Sequence, residues 1–157
     1  MDTSAYGLLC EQDDISPVLY EINQRRFIIA GSRLIRKELR DIPKKIKLKG
    51  NKLRLRALQI YDTLVLGKRD YSATTIIDSL AKEYYLDYRG KRNWGELETD
   101  LRIVATAAIH QVPTIVTNDF STMASEEAIS AYKQANEKYE LPMPRLISTE
   151  EFLALLR

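Results

Sequence analysis

Short apolar segments of strand length alternate with longer segments of helical periodicity along this chain, and this alternation limits the fold more than any other feature. Apolar segments of strand length lie at residues 27–30, 112–117 and 145–147. Helical segments between such strands return the chain to one edge of a sheet, so that the strands run parallel. We therefore expect an α/β fold with a mostly parallel sheet flanked by helices.

Capping residues and apolar periodicity predict where the helices lie. Ser32 is placed to cap a helix over residues 33–41, which Pro43 stops. Ser125 is placed to cap a helix over residues 126–139, and Ser148 with Glu151 forms a capping box. The other helices are predicted at residues 4–25 with a break at Pro17, at 72–88, at 101–110 and at 151–156. A chain of 157 residues with 45% hydrophobic residues can bury one core, so we expect a single domain over residues 1–157.

Residues 47–56 fit two local structures. Charged residues alternate with leucines around Gly50, which is typical of a β-hairpin. Asn51 is also placed to cap a helix that runs to residue 66. The periodicity of Leu55, Leu58 and Tyr61 favours the helix.

The scarcity of cysteine and histidine restricts the kinds of site that the chain can hold. Cys10 and His110 are the only residues of their types, which excludes a Cys/His zinc site, so any metal must be held by oxygen. No apolar stretch approaches the roughly 20 residues that span a bilayer, and the N-terminal residues lack the layout of a signal peptide. We expect an intracellular, cytoplasmic protein.

Two aspartates bracket the helix predicted at residues 101–110 and the strand after it. A helix over residues 101–110 is about 15 Å long, and a strand over residues 112–117 runs back about 20 Å. Asp100 precedes the helix and Asp119 follows the strand, so both carboxylates return to the edge where parallel sheets bind ligands. Two carboxylates there indicate a divalent cation site. Each acid alone also fits a structural role, Asp100 in a first helical turn and Asp119 in a turn after a strand.

A third acid, Glu38, lies on the apolar face of its predicted helix. It follows Leu34 by four residues and Ile35 by three, so helical geometry places it on their side. A carboxylate turned toward the core costs several kcal/mol unless something compensates its charge. That partner is either a bound cation or an arginine such as Arg36 or Arg40.

Basic residues are concentrated in one part of a chain whose overall net charge is only +2. Thirteen of the 24 basic residues lie between Arg25 and Arg56, against two acidic ones, so this segment has a local net charge of +11. Such a density attracts a polyanion through its phosphates, and a solvated face with a flexible basic loop is the alternative. The expected nucleic-acid contacts are Arg33, Arg36, Lys37, Arg40, Lys44, Lys45 and Lys47.

In combination these segments resemble the PIN-domain nucleases. The motifs are Asp2-Thr3-Ser4 before a helix, Glu38 inside a helix, Asp100-Leu101-Arg102-Ile103-Val104 opening an Ala-rich helix, Val116-Thr117-Asn118-Asp119 ending a strand, and a closing strand and helix from Leu146 to Leu153. The resemblance spans nearly the whole chain. PIN domains also place an apolar strand directly before the first aspartate, whereas here only Met1 precedes Asp2. The resemblance therefore implies a PIN-like three-layer fold whose first strand is missing or truncated.

The resemblance implies an endoribonuclease that hydrolyses RNA phosphodiester bonds with bound Mg²⁺ or Mn²⁺. Asp2, Glu38, Asp100 and Asp119 match the catalytic, metal-holding acids of the family, and Ser4 and Thr117 match the polar residues that support them. With one histidine, a two-histidine acid–base mechanism is not available, so the metal must activate the water. An RNA substrate is implied, and an antitoxin protein and a second copy of the chain are the candidate protein partners.

Two other functions stay open at this point. One is a catalytically weak PIN-like protein that binds RNA or acts as a scaffold, which the missing first strand suggests. The other is a receiver-like phosphoacceptor domain that uses Asp13 and Asp14 as its acidic pocket, which requires a strand directly before that pair.

Overall fold

The computed structural model shows a mixed α/β architecture of helices and short strands, as the alternation predicts. It describes residues 1–157, apart from the side chains of residues 66–68. The helices are α1 (Thr3–Glu11), α2 (Ser16–Gln24), α3 (Arg33–Asp41), α4 (Leu53–Leu64), α5 (Thr75–Asp87), α6 (Trp94–Ile109), α7 (Glu126–Lys138) and α8 (Thr149–Leu155). The strands are β1 (Ile29–Ser32), β2 (Lys47–Leu48), β3 (Asn51–Lys52), β4 (Val65–Tyr71), β5 (Thr114–Val116) and β6 (Arg145–Ile147).

The helices with strong capping residues begin where the sequence predicts or within two residues of it. Ser32 accepts a hydrogen bond from the Leu34 amide at 3.2 Å, and α3 has the predicted bounds. Ser125 caps α7, and Ser148 forms a reciprocal capping box with Glu151 at the start of α8. Each cap satisfies amides that the first helical turn leaves without a partner.

The ambiguous segment before α4 contains both predicted structures in succession. β2 and β3 pair antiparallel, and the two residues between them, Lys49 and Gly50, have φ angles of 49° and 79°. Positive φ at both central residues is the geometry of the tight turn that joins two strands. The helix then begins at Leu53 rather than after Asn51, so the predicted Asn51 cap is wrong.

β4 is a strand that the sequence pattern does not predict. It pairs parallel with β1, and Gly31 lies opposite Asp70 in this pair. The segment carries several charged residues, so neither apolar alternation nor β propensity marks it as a strand. The strand forms because its backbone N–H and C=O groups pair with those of β1.

α6 begins at Trp94, six residues before Asp100, so the prediction that Asp100 opens this helix is wrong. Asn93 accepts a hydrogen bond from the Glu96 amide at 3.2 Å, and the Glu96 side chain accepts one from the Asn93 amide at 2.9 Å. This capping box starts the helix in a segment where Gly95 and several basic residues favour a loop. α6 packs against α5, and its Leu97, Leu101 and Val104 are fully buried.

The parallel strands form two separate pairs, β1 with β4 and β5 with β6. Between β1 and β5 lie two small cavities, of about 40 and 190 Å³, and Met1, Ala30 and Thr114 line both of them. The amide of Asp2 donates to the carbonyl of Val116 at 2.9 Å, so the chain enters α1 from this gap. Both β1 and β5 therefore lead toward the first residues of the chain.

In the part of the chain that the structure describes, no helix is both long enough and apolar enough to cross a lipid bilayer.

Candidate functional site

Asp2 is buried and firmly held at the start of α1. It is 4% exposed, and its carboxylate accepts hydrogen bonds from the Ala5 amide at 2.9 Å and from the Ser4 hydroxyl at 2.8 Å. The Thr117 hydroxyl donates to the other carboxylate oxygen at 2.6 Å. The two residues predicted to support the site, Ser4 and Thr117, thus both contact Asp2 directly.

The end of β5 is attached to the first turn of α1. The amide of Asn118 donates to the Ser4 hydroxyl at 2.8 Å, and the amide of Asp119 donates to the Thr117 hydroxyl at 3.0 Å. The Asn118 side chain also bonds Thr149 at the start of α8, at 2.6 Å. These contacts hold the end of β5 against the starts of α1 and α8, which are distant from it in sequence. Asp119 therefore lies next to Ser4 and Thr117, the residues that support Asp2.

Thr122 connects Asp100 with Asp119. Its hydroxyl lies 2.6 Å from one oxygen of Asp100 and in hydrogen-bond contact with one oxygen of Asp119. Asp119 also accepts bonds from the Ser121 amide at 3.1 Å and from the Thr122 amide at 2.9 Å. The two aspartates therefore lie close together as predicted, and Thr122, which was not among the predicted site residues, links them. The one available signal was its position three residues after Asp119, where a hydroxyl can meet an aspartate in a turn.

Glu38 is half-buried and accepts a hydrogen bond from the Thr3 hydroxyl at 2.5 Å. Arg36, one of the two arginines that the alternative interpretation offers as its partner, pairs with Asp62 at 3.2 Å instead. Arg40 forms no ion pair with Glu38 within the described residues. The Glu38 carboxylate therefore faces α1 and the first residues of the chain.

The four acids influence one another electrostatically. Burial raises the pKa of Asp100 to about 6, the Thr122 hydrogen bond opposes the rise, and the charges of Asp119, Glu38 and Asp2 add to it. A site in which three other carboxylates act on a fourth concentrates negative charge in a small region.

The pKa values of Glu38 and Asp119 shift in opposite directions because the surroundings of the two carboxylates differ. Burial, together with the charges of Asp2 and Asp41, raises the pKa of Glu38. Burial alone would also raise the pKa of Asp119, but hydrogen bonds from Thr122 and Ser121 hold it below its usual value. The hydrogen bonds to Asp119 thus stabilise its ionised form directly.

The donor set suits Mg²⁺ or Mn²⁺ in its chemistry. All four side chains offer carboxylate oxygens, which hard cations prefer, and among the described residues none of the four takes part in an ion pair. As they stand in the described structure, no three His, Cys, Asp or Glu side chains form a group that could hold a metal ion. The carboxylate oxygens instead accept hydrogen bonds from the hydroxyls of Thr3, Ser4, Thr117 and Thr122.

The predicted nucleic-acid contacts lie on the surface of α3 and on the segment after it. Arg33, Arg36, Lys37 and Arg40 line a groove of about 420 Å³ together with Asp70. Lys44, Lys45 and Lys47 are exposed on the segment that leads into the hairpin. The predicted contacts on α3 thus line one groove, and the three lysines are exposed on the segment that follows.

Asp13 and Asp14 lie between α1 and α2 and follow a helix, not a strand. Asp13 is exposed and pairs with Lys49 at 2.5 Å. Asp14 accepts a hydrogen bond from the Ser16 amide at 2.8 Å. The strand that a receiver-like phosphoacceptor pocket requires before this pair is therefore not there.

Replacing Thr117 by Val is expected to destabilise the protein by about 1 to 3 kcal/mol, because it removes a hydrogen bond to a buried carboxylate. Thr117 is fully buried and both donates to Asp2 and accepts from the Asp119 amide. Urea denaturation would measure the loss. Thr117→Ser keeps the hydroxyl and is expected to lose much less; equal losses in the two variants would contradict a role for the hydrogen bonds.

Comparisons of the chain with protein-family models, with curated proteins and with solved structures found no match. The site's chemistry therefore rests on its own residues.

Proposed function

We propose that this chain is a metal-dependent endoribonuclease of the PIN type, which hydrolyses RNA phosphodiester bonds. The observation that carries the proposal is the set of hydrogen bonds through Thr117 and Thr122 that links Asp2, Asp119 and Asp100, with the charge of Glu38 acting on Asp100 and no ion pair to any of these acids among the described residues. Buried carboxylates that repel one another are costly unless a cation neutralises them. A divalent cation is the ligand that this charge distribution favours.

In this proposal Asp2, Glu38, Asp100 and Asp119 hold Mg²⁺ or Mn²⁺. The bound metal would lower the pKa of a water molecule and neutralise charge on the phosphate. Asp2 and Asp119 supply the positions that the protein determines most firmly, since several donors hold each carboxylate. Such support keeps ligand oxygens in place for the reaction.

The finer fold is part of the same proposal. A PIN-like three-layer domain would place β1 and β5 on either side of the residues that lead into α1. The position of Met1 between β1 and β5 and the hydrogen bond from Asp2 to Val116 support that arrangement.

RNA cleavage under controlled metal conditions tests the proposal. We expect the protein to cut single-stranded RNA with Mn²⁺ or Mg²⁺ and to lose this activity in a chelator. Activity should return when Mn²⁺ is added back, which distinguishes the protein from a contaminating metal-independent ribonuclease. No cleavage across varied RNAs and metals would contradict the proposal.

A catalytically weak RNA-binding protein is the second candidate. It is favoured by the hydroxyls that occupy the carboxylate oxygens and by the lack of a ready three-ligand group among the described residues. RNA binding through the basic surface, without cleavage under any metal, would identify it.

A further inference from the structure

We propose that the groove beside α3 is a second phosphate site, which holds the flank of a single-stranded RNA away from the bond that is cut. The groove is lined by Arg33, Arg36, Lys37, Arg40 and Asp70, and we call it the α3 groove. The proposal rests on the proposed function and adds to it that the substrate is an RNA long enough to contact two separate places.

The α3 groove and the acidic site lie on different sides of the same helix. At about 100° per residue, Lys37 is displaced about 100° from Glu38 around the helix axis, and Arg36 and Arg40 about 160°. Glu38 contacts Thr3 of α1, whereas Arg36 contacts Asp62 of α4. A helix with its side chains is about 10 Å wide, so a phosphate held between Arg36 and Arg40 lies on the far side of α3 from the Glu38 carboxylate. The cations of the groove are therefore not placed to neutralise the phosphate that is cut.

Most of the positive charge of the α3 groove is available to a ligand. Arg36 is engaged by Asp62, but within the described residues Arg33, Lys37 and Arg40 form no ion pair. The one acid in the groove, Asp70, accepts a hydrogen bond from the Tyr61 hydroxyl at 2.7 Å. Three exposed cations around a groove of about 420 Å³ repel one another, and an anion between them relieves that repulsion.

The form of the basic surface favours a phosphate backbone over an acidic protein segment. The guanidinium groups of Arg33 and Arg40 can each bind a phosphate through two parallel hydrogen bonds. Lys44, Lys45 and Lys47 are also exposed, on the segment that follows α3. Exposed cations in both segments can each contact a phosphate of one nucleic-acid strand, whose charges repeat regularly.

The test compares a long RNA with a short one. In the variant Lys37→Gln/Arg40→Gln, we expect a long unstructured RNA to bind about tenfold more weakly or worse, and a trinucleotide to bind unchanged. The slope of log affinity against log salt should fall by about 1.4 for the long RNA, since each lost phosphate contact on a single strand contributes about 0.7. In cleavage assays KM should rise for the long RNA while kcat stays unchanged.

Lys82→Gln/Lys133→Gln is the matched control, because it removes the same charge from two exposed lysines on α5 and α7. It should bind the long RNA like the wild type. Equal weakening of the long RNA and the trinucleotide, or no weakening of either, would overturn the proposal. Binding of poly-glutamate that depends on Lys37 and Arg40, with RNA binding unchanged, would assign the groove to an acidic protein instead. RNA binding through the groove without any cleavage would support the groove and reject the nuclease.

Discussion

Replacing Asp119 by Asn is expected to lower the rate of Mn²⁺-dependent RNA cleavage by about a hundredfold or more. The Asp119 carboxylate lies at the end of β5, where donors from Ser121 and Thr122 favour its ionised form. Asparagine keeps the size of the side chain but removes the charge that would bind the cation. The measurement is the single-turnover cleavage rate at saturating protein and several Mn²⁺ concentrations.

Asp14→Asn is the matched control for this variant. Asp14 accepts a hydrogen bond from the amide two residues later, as Asp119 does, but it lies between α1 and α2. This variant should cleave like the wild type, and a large loss in it would favour a role for the pair Asp13 and Asp14. Undiminished cleavage by Asp119→Asn would remove Asp119 from the site.

Replacing Asp100 by Asn is expected to stabilise the metal-free protein at neutral pH while it abolishes cleavage. Burial and the neighbouring carboxylates raise the pKa of Asp100 from 3.8 to about 6, and a rise of this size corresponds to roughly 3 kcal/mol against the ionised form in the fold. Asparagine removes that charge and can still bond Thr122. A gain at pH 7 of up to about 3 kcal/mol in the free energy of unfolding is the expected result, measured by urea denaturation in a chelator.

The stability gained by Asp100→Asn relative to the wild type should disappear as the pH falls. Because the folded protein binds the Asp100 proton more tightly than the unfolded chain, this group stabilises the fold fully below pH 3.8. That contribution is lost as the pH rises through about 6. The wild type should therefore approach the stability of Asp100→Asn between pH 7 and pH 4, and parallel profiles of the two proteins would contradict the raised pKa.

Mn²⁺ provides the complementary measurement. A ligand that binds only the folded protein stabilises it by about 2.7 kcal/mol at one hundred times its dissociation constant. The wild type should gain stability on addition of Mn²⁺, whereas Asp100→Asn should gain little. Equal gains in both proteins would place the metal elsewhere.

The sequence predicts the elements whose signals are local. Ser32 and Pro43 delimit α3, and the helix occupies the predicted residues, because the cap and the stop act within a few residues of the chain. The same holds for α7 after Ser125. β4 shows the opposite case, since its strand exists through pairing with β1 and has no local pattern that indicates it.

The start of α6 is encoded locally by residues that are also typical of a loop. Asn93 followed by Glu96 is the signature of a capping box, whereas Gly95 between them is common in loops. Because the helix begins at Trp94, Asp100 lies nearly two turns inside it rather than in its first turn. Its carboxylate still reaches Thr122, because the helix continues to present that position toward the end of β5.

The sequence specifies which chemistry is available: oxygen ligands rather than sulfur or imidazole, the four candidate acids spread along the chain, and one dense basic segment. Which of these groups lie in contact depends on the folded structure. Contacts such as Thr117 with Asp2, 115 residues apart, and Thr3 with Glu38 depend on how the strand ends and helices pack. No local pattern encodes them, since their energies arise from burial shared by distant segments.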